Sequence, residues 1–372
     1  MSQDRLQIES ARGPAVVIGG RELRAFAGCD YLGLSCHPRV LAALRTSLEH
    51  DGLSPGGSRL TSGNRRVHEE LEAALASFVG MEAALLAPAG YLANLFVAQM
   101  LASTHRSALF ARDSHVSMRD ALGAASIAVR EFGNVEDARR VVKSELAGPL
   151  AILTDGVFPA RKRIAPLTDL LALVARLDVR EATLVVDDCH GLGVLGARGR
   201  GTLEHFGLSD PRIVLTGTLS KSLGVFGGFV AGRRELIERI AARSQAFAGS
   251  TPLPAAMAHA ALAALNVLAS EPEHLTRLRS HIGQTRERLR ALGLSVHDLP
   301  LPVFALALES PKRCRAVHEE LLAQGLLVPY VEYPDGLGGY LRLALSAAHT
   351  EEDLARLFAA LQKALSVVEA PR

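Results

Sequence analysis

The stretch 213-IVLTGTLSKSLGVFGGFVAG-232 decides how this chain is to be read. An apolar run at 213–215 gives way to small and hydroxylated residues around Lys221, and a second apolar run follows at 229–231. Lysine rarely sits between buried strands unless it is paired or has chemistry to perform. A nucleotide P-loop is excluded, because it needs glycine immediately before the lysine and this chain has Ser220 there. In an open α/β sheet ligands bind at strand ends, and a desolvated lysine there suits a Schiff base with an aldehyde. A surface lysine in a glycine-rich loop fits the same residues, so this stretch alone leaves both readings open.

Working outward, the runs 83-AALLAP-88, 107-SALFAR-112, 149-PLAILTD-155, 182-ATLVVDD-188, 212-RIVLTG-217 and 228-GFVAG-232 are apolar without alternation. Strands buried on both faces of a mainly parallel sheet read this way. Helical patterns at 67–80, 91–103, 116–124, 135–145 and 167–177 lie between several of them, as βαβ units require. A long helical region follows at 233–247 and 254–292, broken near Glu271 and Pro272. From about residue 295 short strands at 303–308 and 341–346 alternate with helices at 311–325 and 350–366. The expected fold class is α/β, a mainly parallel central sheet with helices on both faces and a smaller α+β C-terminal domain. The expected organisation is a 1–35 N-terminal segment, a large 36–268 domain and a 269–372 C-terminal domain.

Composition narrows the function classes. The 372 residues carry 41 basic and 39 acidic side chains, a formal net charge of +2, which gives no basis for expecting a nucleic-acid partner. No stretch is long and apolar enough for a membrane span, and 1-MSQDRLQIESARG-13 lacks a signal-peptide core. Cys29, Cys36, Cys189 and Cys314 are scattered and form no C-x-x-C pair, so free thiols in a reducing cytoplasm are expected and no metal site.

Three further constellations bear on Lys221. In 184-LVVDDCHGLGVLG-196 an apolar strand ends in Asp187, Asp188 and His190. A carboxylate at a strand end can keep a pyridinium nitrogen protonated, the tuning that pyridoxal phosphate (PLP) chemistry uses. Asp187 and His190 also fit a metal, although no third ligand stands nearby, and Asp-Gly clusters also make plain turns. In 89-AGYLANL-95 a helix begins at Gly90, and backbone N–H groups at a helix start suit a phosphate, although an Ala-Gly turn also serves as plain structure. In 113-DSHVSMRDAL-122, His115 fits either a stack on a flat ring or a helix cap.

Taken together and in order, these residues resemble the α-oxoamine synthase family of fold-type I PLP-dependent enzymes, which have the aspartate aminotransferase-like fold. The similarity runs from about Phe26 to Leu361. It is carried by DYLGLSCHP (30–38), GGSRLTSG (56–63), HEELE (68–72), GYLAN (90–94), DSHVS (113–117), DGVF (155–158), DDCHGLGVLGARGRGT (187–202), TGTLSKSLG (216–224) and LRLALSAAHT (341–350). The texture is most similar to the 8-amino-7-oxononanoate synthase branch.

The resemblance implies that Lys221 holds PLP as a Schiff base and moves the α-proton. It implies Asp187 at the pyridine nitrogen, His190 at the phenolic oxygen and His115 on the ring face. Gly90, Tyr91 and Thr218 would bind the phosphate, with Thr251 from the neighbouring subunit. Arg342 would grip the amino acid's carboxylate, for which a guanidinium fork is suited. The implied reaction is a decarboxylative condensation of a small amino acid with an acyl thioester, of coenzyme A or an acyl carrier protein, by a cytoplasmic homodimer.

The chain also departs from the family pattern. Cys29 replaces an asparagine before DYLGL, Pro159 replaces a serine after DGVF, and the basic run Arg161, Lys162 and Arg163 follows. In 330-YVEYPDGLGGYLRL-343, Tyr340 stands where an arginine is common. The basic run fits either a solvated loop or a site for an anionic acyl carrier or coenzyme A phosphates. The departures imply intact cofactor machinery with diverged substrate recognition. They leave open two alternatives, a diverged aminotransferase or decarboxylase and a non-catalytic PLP-binding homologue.

Overall fold

The six uninterrupted apolar runs form six strands of one seven-stranded sheet, because each run is covered on both faces and carries no polar alternation. The computed structural model describes residues 6–105, 107–145, 149–176, 182–332 and 338–368, without the side chains of 143–145. Residue 177 of the expected 167–177 helix and residues 333–337 of the 330–343 stretch lie outside the described residues. The strands are β1 (Ala83–Ala87), β2 (Ser107–Ala111), β3 (Ala128–Phe132), β4 (Ala151–Asp155), β5 (Thr183–Asp187), β6 (Ile213–Thr218) and β7 (Gly228–Gly232). Their order across the sheet is β1-β7-β6-β5-β4-β2-β3.

β6, β5, β4, β2 and β3 run parallel to their neighbours, and β7 lies antiparallel to both β6 and β1. Six strands therefore point the same way and end on one edge. Helix Gly90–Leu101 packs Phe96, Val97, Met100 and Leu101 into a core shared with Phe110, Val185, Val214 and Val230. This burial fixes the height of the helix start above the sheet edge. That edge is where open α/β folds bind ligands.

β3 was missed in the sequence because its residues AVREF are mostly exposed or half-exposed, so no apolar run marks it. A strand at the sheet's edge buries little side-chain surface and leaves the hydrophobic pattern weak. The N-terminal segment, where no elements were expected, holds three strands, Ser10–Arg12, Ala15–Ile18 and Arg21–Ala25.

Two compact units divide the chain, His37–Glu271 and Met1–Cys36 together with Pro272–Arg372. The first contains the seven-stranded sheet. In the second, Val303–Leu306 and Tyr330–Glu332 flank Gly339–Ala344 in an antiparallel three-stranded sheet. The long helical region resolves into Arg234–Arg243, Gln245–Gly249, Ala255–Ser270 and Glu273–Ala291, with Pro272 standing at the break.

Candidate active site at the carboxyl edge of the large sheet

The site residues of the His37–Glu271 unit stand at or just beyond the ends of the parallel strands. Asp187 is the last residue of β5, with Cα register opposite Asp155, the last residue of β4. Asp187 is buried, and its oxygens accept from Asn94 Nδ2 at 2.9 Å and from the Cys189 backbone N–H at 3.0 Å. His190 follows in the turn beyond β5 and is half-buried.

Lys221 lies three residues past the end of β6, in a loop closed by Leu219 N–H to Gly227 O at 2.9 Å and Gly224 N–H to Lys221 O at 3.0 Å. Its side chain is half-buried, and its positive charge is felt at Asp155. Burial pushes the Asp155 carboxyl well above the usual range, and the neighbouring Asp187 charge adds to this. The His115 N–H and the Lys221 charge pull it back. The adjacent Cys189 thiol is likewise raised, by burial first and then by Asp187.

Helix Gly90–Leu101 starts without a side-chain cap, because its N-cap residue is Ala89. Orphan N–H groups at such a start favour an anion. Gly90 packs closely there: a Cβ would lie 3.1 Å from Thr218 Cβ and 3.4 Å from Thr218 Oγ1. A Cβ on Gly228 would meet the Gly90 backbone nitrogen at 2.4 Å, so β7 lies directly against the helix start. The Thr218 hydroxyl donates to Gly227 O at 3.0 Å and accepts from Ser220 N–H at 3.2 Å. Tyr91 is largely exposed, with its hydroxyl on Asp120.

His115 is the N-cap of helix Val116–Ala124 and is exposed. Its backbone N–H donates to the Asp155 carboxylate at 3.1 Å, while Ser114 Oγ accepts from Asp155 N–H at 2.9 Å. The turn before it is held from the other side, by Arg161 at 3.1 Å and Arg163 at 3.0 Å on the two oxygens of Asp113. Arg163 also lies 4.1 Å over the Phe158 ring. Two members of the basic run 161–163 are thus engaged within the fold.

Thr251 is exposed in the segment after Gln245–Gly249. Arg342, in the other unit, donates from Nη1 to Gly28 O at 3.1 Å and from Nη2 to Cys29 Sγ at 3.4 Å. Asn94, Ser117, Asp155 and Thr216 are not marked individually as site residues by the sequence. Asn94 gave a signal, a polar residue in the otherwise apolar first turns of 90-GYLANLFVAQML-101. Ser117 and Thr216 gave none, since one reads as a helix residue and the other as a strand residue.

The family model "Aminotransferase class I and II" matches residues 26–361. The 8-amino-7-oxononanoate synthase of Thioalkalivibrio sulfidiphilus is 39% identical over 369 residues, covering 98% of this chain and 93% of that protein. That of Methylococcus capsulatus is 40% identical over 365 residues, covering 96% and 93%. The solved structure of SPT with PLP superposes with a TM-score of 0.92 at 27% identity, covering 98% of this chain and 93% of that one.

Proposed function

The chain belongs to the aminotransferase class I and II family, and from that membership we propose a PLP-dependent C-acyltransferase that joins a small amino acid to an acyl thioester. The relatives named 8-amino-7-oxononanoate synthase, matched over nearly their whole length, support this choice within the family. One observation carries the reading. Lys221, Asp187, His190 and an uncapped helix start all stand at or just beyond the carboxyl ends of strands that run the same way in one sheet.

The residues fit PLP. The uncapped Gly90 helix start, packed tightly beside Thr218, suits the phosphate, and a buried carboxylate steadied by two N–H donors suits a protonated ring nitrogen. When bound, PLP supplies the electron sink for an amino-acid α-carbanion.

The proposed roles follow. Lys221 would tether the cofactor through Nζ and then carry the proton at the amino acid's α-carbon. Asp187 would keep the pyridine nitrogen protonated, His190 would hydrogen-bond the phenolic oxygen, and His115 would cover the ring face. Gly90 and Tyr91 N–H groups with the Thr218 hydroxyl would hold the phosphate, joined by Thr251 of the neighbouring subunit in a homodimer. Arg342 takes the substrate carboxylate. A new bond would join the α-carbon to the acyl carbon in place of the α-hydrogen, the thiolate would leave and take up a proton, and the carboxylate would leave as carbon dioxide while a second proton returns to the α-carbon. The functional domains proposed are the 1–35 segment, a 36–268 cofactor-binding domain and a 269–372 C-terminal domain.

Absorbance spectroscopy tests the cofactor. Purified protein supplied with PLP should show the visible band of the lysine-bound cofactor, and Lys221→Ala should lose it. A wild-type chain without the band sinks the reading. Thiol release from a panel of acyl thioesters with glycine, alanine or serine then tests the condensation. Amino-acid binding without release points instead to another PLP reaction.

A further inference from the structure

A buried chain of hydrogen bonds joins the Asp187 carboxylate to the exposed His115 ring. Asn94 is its hub: Nδ2 donates to Asp187 Oδ2 at 2.9 Å and to Ser117 Oγ at 3.0 Å, and Oδ1 accepts from Thr216 Oγ1 at 2.7 Å. Ser117 Oγ lies 2.8 Å from His115 Nδ1, and the Ser117 backbone N–H donates to the same nitrogen at 3.3 Å. Asn94 is 3% exposed, Ser117 2% and Thr216 0%, so water does not compete for these bonds.

Donor and acceptor chemistry gives this chain a direction. A carboxylate only accepts, so the Asn94 amide must turn its NH2 toward Asp187 and its oxygen toward Thr216. The reversed amide would set oxygen against oxygen. With the second amide hydrogen on Ser117 Oγ, the serine's own hydrogen is left to donate onward to Nδ1. The Ser117 backbone N–H cannot reverse at all, and it too aims at Nδ1. A ring nitrogen receiving two donors must offer its lone pair, and a histidine's tautomer is set by such bonds.

We infer that Asn94 and Ser117 are positioning residues that transmit the polarity of Asp187 to His115 and keep the proton of its neutral ring on Nε2. The outward face of His115 is then a fixed N–H donor. The bond directions stand on the chain's own residues, while their use in catalysis rests on the reading of His115 and Asp187 given above. A purely structural serine and asparagine would support packing without selecting a tautomer.

Nitrogen NMR of histidine-labelled, PLP-loaded protein reads the tautomer directly, with the His115 signals assigned by their loss in His115→Asn. The expected wild-type pattern is Nδ1 in the downfield range of an unprotonated nitrogen and Nε2 in the upfield range of a protonated one. In Asn94→Ala and in Ser117→Ala, both of which keep the Ser117 backbone N–H on Nδ1, the two signals should shift part of the way toward the averaged position of a ring that exchanges tautomers. The retained visible band shows that each variant is folded, and Ser117→Ala carries the test where Asn94→Ala does not fold. A wild-type ring protonated on Nδ1 overturns the inference, and so do variants that keep the wild-type pattern. A chain with no visible band at all would sink the cofactor reading, yet its His115 signals would still report on the tautomer.

Discussion

Asp188 is completely buried beside Asp187, and three glycines close around its carboxyl group. A Cβ on Gly191 would lie 2.0 Å from Oδ1, one on Gly201 2.0 Å from Oδ2, and one on Gly156 2.7 Å from Oδ1. The glycines in this part of the sequence are therefore spacers for a carboxyl group. Burial pushes Asp188 up to about 8, against the opposing hydrogen bonds of Thr202 and with a small addition from Asp187. In the unfolded chain an aspartate titrates at about 3.9. The folded protein therefore keeps a proton that the unfolded chain has lost across this interval. The group's contribution to stability is full below about pH 4 and is lost as pH rises toward 8, at up to about 1.4 kcal/mol per pH unit. Asp188→Asn keeps an oxygen for the Thr202 N–H, 2.7 Å away in the wild type, and has nothing to titrate. Relative to wild type, this variant should gain stability steadily between about pH 4 and 8 in denaturant titrations. Parallel wild-type and variant curves would contradict this.

At the scale of elements, the site depends on how closely β7 approaches the start of helix Gly90–Leu101. Gly228 pairs with Thr218 on one side and Ala87 on the other, and its missing side chain lets the Ala89–Gly90 peptide sit against it. Backbone atoms cannot move aside as a flexible side chain can. Gly228→Ala should thus push the helix start away from Thr218, at a cost of roughly 1–3 kcal/mol for overpacking. Its melting temperature should fall, and PLP should bind more weakly when the visible band is titrated. An unchanged affinity for PLP would show that the helix start does not hold the phosphate. The segment 155–163 grips the turn before His115 in a similar way, with Asp155 on the His115 N–H and Arg161 and Arg163 on Asp113. The sequence showed the charges of this basic run but not their partner. Asp113 lies 48 positions before Arg161 in the chain and 50 before Arg163.

At the scale of the molecule, the sheet collects residues far apart in sequence because six parallel strands end on one edge. No helix among the described residues is long and apolar enough to cross a membrane. The proposed homodimer makes a molecular-scale prediction through Thr251, which is exposed in the single chain. Light scattering should give twice the chain mass, and Thr251→Ala should weaken PLP retention without changing that mass. A monomer that holds PLP as tightly as its Thr251→Ala variant would remove the partner's role.

The sequence by itself determined the fold class and the central strands, because unbroken apolar runs mark strands buried on both faces. Polar groups where such runs end singled out Lys221, Asp187, His190, His115 and Gly90 as candidates, while the roles proposed for them came from the family resemblance. Only the tertiary structure decided which groups bond to one another. Asn94, Ser117, Thr216 and Asp155 come from a helix, a second helix and two strands, and their roles depend on distances of about 3 Å across those elements. Hydrogen bonding is directional and short-ranged, and sequence spacing carries no record of it. The edge strand Ala128–Phe132 was illegible for the opposite reason: exposed positions leave composition free, and only pairing with β2 makes it a strand.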